Sequence, residues 1–239
     1  MKRTTILESL VIMALIFPMA VHAADDAGKT ERPWSRSFSP NKEDLATIGK
    51  NTYFILLPSY RLHLEHGSHA LVIRVLNETK VVDGVETRVV EERETKGGQL
   101  VEVSRNYFAI SKTTGDVYYF GEDVDTYENG KVTSHKGSWL AGVDGAKFGL
   151  MMPGNPRVGQ KYYHELAPGI AMDRAEIIGR NVTFKTGMGT FEKCLRVRET
   201  SDLESTSEEK LYAMDMGLIK DGDLVLVKVF CPPKGTIVP

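Results

Sequence analysis

Basic charge is not in excess in this chain: 30 Lys and Arg face 32 Asp and Glu, for a formal net charge of −2. Nucleic acid and anionic membrane surfaces both reward clustered positive charge, so neither is expected as a partner. Long apolar runs are scarce too. Beyond residue 23 nothing approaches the roughly 20 apolar residues of a membrane-crossing helix, and no transmembrane segment is expected. Cysteine is limited to Cys194 and Cys231. Neither has a histidine or a basic pair beside it to favour a reactive thiolate. There is no internal repeat, no low-complexity run and little helical periodicity. The G-x-S-x-G elbow is missing as well, so Ser138 reads as a loop serine and no catalytic residue is assigned.

What is present begins with a leader. Lys2 and Arg3 precede an apolar run from Leu10 to Ala20, and Val21-His22-Ala23 has the small-residue pattern of a cleavage site. Residues 1–23 are read as a signal peptide, and the remainder as a soluble periplasmic or extracellular protein. With no cysteine next to that site, a lipoprotein anchor is not expected. In an oxidising compartment Cys194 and Cys231 suggest one disulfide, worth about 4 kcal/mol in the chain-entropy account. Two buried reduced thiols are the other reading.

Residues 24–50 are polar, interrupted by Pro33 and Pro40, and read as a loosely ordered arm. Within it Asn41 can cap one short helix, with Glu43 and Asp44 in its first turn. From Tyr53 onward short strands alternate with turn residues. Asp83-Gly84, Gly97-Gly98, Thr114-Gly115-Asp116 and Asn129-Gly130 mark successive hairpins of an antiparallel meander. In Leu100–Ile110 the residues Val101, Val103, Arg105 and Tyr107 share one face, and Leu100, Glu102, Ser104 and Asn106 the other. The stretch 137–159 is rich in glycine and reads as a long irregular connection that covers one end of the sheet. About eleven strands are expected in all. The fold class is all-β: a single domain over 51–231, built as one strongly curved antiparallel sheet or incomplete barrel, with a two-sheet sandwich as the alternative. Residues 232–239 form a C-terminal tail.

The phrases Tyr118-Tyr-Phe-Gly-Glu-Asp123, Gly137-Ser-Trp139, Ala141-Gly-Val-Asp-Gly-Ala-Lys147 and Met152-Pro-Gly-Asn-Pro-Arg-Val-Gly159 resemble those of a family of exported bacterial β proteins with no assigned activity. So do Ala167–Glu176, Gly189-Thr-Phe191 with Cys194, and Leu211-Tyr-Ala with Gly217–Lys220. The Gly-Thr-Phe strand and closing hairpin are also similar to those of periplasmic curved-sheet proteins that handle lipids or other apolar ligands. That likeness implies architecture and leaves function open.

Three sets of residues carry candidate chemistry. Trp139, Phe148, Met151 and Met152 decorate the glycine-rich stretch and suit contact with an apolar small molecule or lipid on the concave face, or a plug of core. Asp123 and Asp125 share a face in an extended backbone, opposite Glu122. They are the alternative, a Ca²⁺-type metal site needing further oxygens from elsewhere, although the spacing departs from an EF-hand loop. His164, Glu165, Asp173 and Glu176 could exchange protons only if brought into one cleft. His63, His66 and His69 have a spacing of three that would align them on a helix, whereas they straddle a strand end. The expected function is therefore binding without catalysis and without a cofactor. A hydrolase with an unrecognised site is the remaining alternative.

Overall fold

The computed structural model describes residues 33–231, so the leader, residues 24–32 and the tail 232–239 lie outside the described residues. The strands are β1 (Leu45–Ala46), β2 (Gly49–Asn51), β3 (Phe54–Leu56), β4 (Arg61–His66), β5 (His69–Val82), β6 (Val85–Lys96), β7 (Gln99–Ser111), β8 (Val117–Glu128) and β9 (Lys131–Ser134). They continue with β10 (Trp139–Leu140), β11 (Lys147–Met152), β12 (Lys161–Tyr163), β13 (Glu165–Leu166), β14 (Asp173–Thr186), β15 (Gly189–Ser201), β16 (Ser207–Ala213), β17 (Gly217–Asp221) and β18 (Leu224–Phe230).

Two antiparallel meanders, β4 to β8 and β14 to β18, join through the pairing of β18 with β4. On the far side β11 pairs with β8 and β13 with β11, while β12 pairs with β14. The result is one large antiparallel sheet nearly closed as a barrel, with about 13–16 strands in place of eleven. The two edge strands, β12 and β13, are separated only by His164, so a continuous segment of chain bridges the seam.

The hairpin turns follow the sequence closely. Asp83, Gly84, Gly97, Gly98, Asn129 and Gly130 all have positive φ, the backbone that two-residue turns between twisted strands require. Gly121 (φ 147°) sits at an irregularity where Tyr107 pairs with Gly121 but Phe108 pairs with Tyr119. This bulge turns both Tyr119 and Glu122 inward although they are three residues apart.

Three local expectations change. The helix at Asn41 is a single 3₁₀ turn, Lys42–Asp44: Asn41 caps it by accepting from the Glu43 amide, but Leu45–Ala46 then pairs with the end of β7. Residues 33–50 are not a loose arm. Ser35 bridges to Tyr162, Trp34 packs edge-on against Tyr163, and the Lys161 and Arg174 cations lie over its ring. The glycine-rich stretch contains β10 and β11, both paired with β8. Its glycines permit close approach: Gly149 lies against the backbone carbonyls of Tyr163 and His164 at the seam, and Gly154 against that of Thr114.

A single apolar cluster fills much of the interior. Its aromatic part stacks Phe108 on Tyr119 and Phe120 on Phe148, with Trp139 edge-on to Tyr119 and Phe54 edge-on to Phe108. The β2–β3 hairpin contributes Tyr53, Phe54, Ile55 and Leu56 to this layer. Among the described residues no helix is long and apolar enough to cross a membrane.

Candidate functional site

At the barrel end where the turns following β4, β6 and β17 lie, the inward positions are not apolar. Pairing sets Glu92 opposite Ser104 and Glu94 opposite Glu102 on one wall, and Lys210 opposite Asp221 and Asp221 opposite Leu224 on the other. Side chains alternate along each strand, so these rows face a common space. They surround a cavity of about 410 Å³ lined by His69, Leu71, Glu92, Glu94, Glu102, Ser104, Glu208, Asp221, Asp223 and Leu224. Two like charges directly across a ladder, as at Glu94 and Glu102, cost stability.

Deeper in, Glu92, Lys210 and Asp221 also wall a narrow crevice of about 80 Å³, whose remaining lining includes Phe54, Ile73, Val75, Phe108, Met151 and Leu218. Lys210 stands at the junction. Its Nζ lies 2.9 Å from Glu199 and 3.4 Å from Asp221. Burial works against its charge, but these two carboxylates hold it protonated, well above the usual lysine range. Burial likewise opposes ionisation of Glu199, and Lys210 and His164 outweigh it, keeping that carboxyl below its ordinary value. Burial lowers the pKa of His164 itself, with Glu199 and Asp173 pulling the other way and Lys210 adding to the burial.

The remaining inward acids behave differently. Burial pushes the Glu92 carboxyl up to about 7, Lys210 opposes this, and Asp221, Glu199 and Glu102 add to it. Glu122 is also pushed up to about 7, first by burial, with Glu92, Glu102 and Asp173 contributing against a hydrogen bond from Tyr119. Glu165 rises well above its ordinary value through burial and Asp173.

A carboxyl raised in the native state binds its proton there longer than in the unfolded chain. Its stabilising effect is thus complete below the unfolded pKa of 4.5 and is lost as pH rises through about 7. His164 has the opposite sign, since its lowered pKa makes stability fall as pH drops below 6.5. Comparing a variant with its parent isolates one group. Glu92→Gln should be near neutral in stability at pH 5 and stabilising by on the order of 3 kcal/mol at pH 8, read from urea midpoints at both values. An equal difference at both pH values would show that Glu92 ionises normally.

The candidates read from the sequence are scattered. Trp139 and Met152 are core residues, 4% and 1% exposed, and Phe148 packs into the aromatic layer. These three do not face the open cavity, because β10 and β11 are strands of the wall and not a cover. Met151 lines the apolar crevice. Asp123 and Asp125 do share a face, but it is the outer one and both are already engaged. Asp123 accepts hydrogen bonds from Tyr107 and, at 2.9 Å, from Lys80, and Asp125 lies 2.8 Å from His135 and 3.7 Å from Arg105. Among the described residues no three His, Cys, Asp or Glu side chains are grouped to hold a metal ion.

The disulfide is not formed. Cys194 is a buried free thiol on β15 and Cys231 an exposed one beyond β18. β16 and β17 lie between these strands in the sheet. His164 and Glu165 are buried at the seam, where Glu165 accepts from the Asp173 amide at 2.6 Å, while Glu176 faces Arg198 on the other side of β14. The four do not form one cleft. Ser138 accepts from the Val124 amide. Of the spaced histidines, His63 pairs with Glu65, and His69 reaches the cavity and pairs with Glu94 at 2.8 Å.

Glu92, Glu94, Glu102, Glu208, Asp221, Asp223 and Lys210 were missed by the sequence reading. Charges alternating with valine in 85–94 look like a solvated face, and only the closure of two meanders upon each other turns that face inward. The chain matches no family model, no curated protein and no solved structure.

Proposed function

We propose that this is an exported, non-catalytic binding protein that takes a small ligand through the open end of its barrel. The supporting observation is the 410 Å³ cavity at that end, which shares Glu92 and Asp221 with an apolar crevice running inward. A volume of that order is typical of small-molecule sites, which combine apolar walls with a few converging polar groups. The similarity to curved-sheet proteins that handle apolar ligands agrees with the crevice, and the acidic mouth adds a polar requirement that a purely lipid-binding reading does not contain.

Native mass spectrometry of protein recovered from its own compartment tests this reading. The expected result is a retained adduct in the parent that disappears in Ser104→Trp, which fills the mouth, with the two proteins giving the same circular dichroism. A bare mass in the parent, or an adduct indifferent to Ser104→Trp, would overturn the assignment of the mouth as the site.

A further inference from the structure

We infer that the ligand of the barrel mouth carries a cationic amine, with the acidic wall receiving the ammonium group and the crevice receiving a short apolar part. This deepens the reading above and rests on it. Two independent observations carry it.

The first is the charge inventory of the cavity. Lys210 is committed to Glu199 and Asp221, and His69 and Lys96 both pair with Glu94. Among the described residues no cation pairs with Glu92, Glu102, Glu208 or Asp223. These acids converge without a salt-bridge partner in a partly enclosed space, with Lys210, Lys96 and Lys220 acting on Glu92, Glu102 and Glu208 from beyond salt-bridge distance, and a bound cation there is worth more than in bulk water.

The second is a buried donor with nothing to donate to. The Tyr162 hydroxyl belongs to a side chain 1% exposed and, among the described residues, has no hydrogen-bond partner. Leaving such a group unsatisfied costs about 1–3 kcal/mol. Tyr162 stands in a cross-strand row with Ala175, Glu199 and Glu208, so it shares the face from which Glu208 lines the cavity. A chamber with spare acceptors at its mouth and a spare donor on its wall suits a small polar cation bearing an acceptor atom, or one that brings water with it. An anionic fatty acid meets mostly like charge at that mouth.

The probes are hexylamine, hexanol and hexanoate, which share a tail and differ in head group, together with Mg²⁺ and Ca²⁺ alone. Calorimetry and thermal melting at neutral pH should show binding of hexylamine, no binding of hexanoate, and a weaker response to hexanol. In the double variant Glu92→Gln/Glu102→Gln the affinity for hexylamine should fall by about ten-fold or more. The melting temperature of that variant without ligand should not fall, which separates lost recognition from lost structure. If hexanol or hexanoate binds as well as hexylamine and Ser104→Trp abolishes it, the mouth remains a binding site and the amine assignment fails. A larger response to Mg²⁺ or Ca²⁺ than to the amine gives the mouth to a metal ion, with the same consequence. If no probe binds and the natively purified protein carries no adduct, both readings fail together.

Discussion

Replacing Lys210 with methionine is expected to destabilise the protein by about 3–5 kcal/mol, the cost of leaving buried carboxylates without their cation. The ammonium group lies 2.9 Å from Glu199 and 3.4 Å from Asp221, and all three side chains are largely withdrawn from water. Removing the charge leaves Glu199 and Asp221 facing Glu92, so their ionised forms lose their salt-bridge partner. The double variant Lys210→Met/Glu199→Gln should recover part of the loss, because fewer uncompensated charges remain. The coupling between the two sites in a double-mutant cycle measures the pair itself. Urea unfolding of the four proteins gives these numbers. A Lys210→Met midpoint indistinguishable from the parent would mean that water, and not Lys210, satisfies the inner acids.

The second large effect is expected at the seam. Gly149 on β11 lies so close to the carbonyl oxygens of Tyr163 and His164 that an added methyl group would collide with backbone. Backbone on both sides is held in ladders, β11 with β8 and β13, and β12 with β14, so the strain cannot be relieved by a rotamer change. Gly149→Ala should cost about 3 kcal/mol, at the upper end of overpacking effects. The loss should appear together with faster hydrogen exchange at Tyr163 and Glu165, which flank the closing residue His164. Gly187→Ala is the matched control, since nothing lies within 4 Å of its added methyl group, and it should be near neutral. Equal stability of the two variants would mean that the barrel is not closed through His164.

Much of the strand pattern was legible because it is local. Asp83-Gly84, Gly97-Gly98 and Asn129-Gly130 turn the chain by their own backbone preferences, and β-branched alternation supplies the strands between them. Asn41 was legible as a cap for the same reason. The extent of its helix was not, since Leu45 and Ala46 are claimed by pairing with Ile110 and Ser111, far along the chain. The short strands β10 and β11 were hidden among glycines whose purpose is close packing against other segments. The cysteines, which the sequence suggested as a pair, are both free thiols here, with two strands between theirs in the sheet.

Taken alone, the sequence determined an all-β chain of sequential hairpins and which residues share a face, because turn chemistry and the two-residue period of a strand operate between neighbours. In β7 it separated Glu102, Ser104 and Asn106 from Val103 and Tyr107, without saying which set is enclosed. Only the tertiary structure decided that the polar set lines the cavity and that Lys210 meets Glu199 and Asp221 there. Period two labels the two sides of a strand, but which side is enclosed depends on how distant meanders curve and close upon each other.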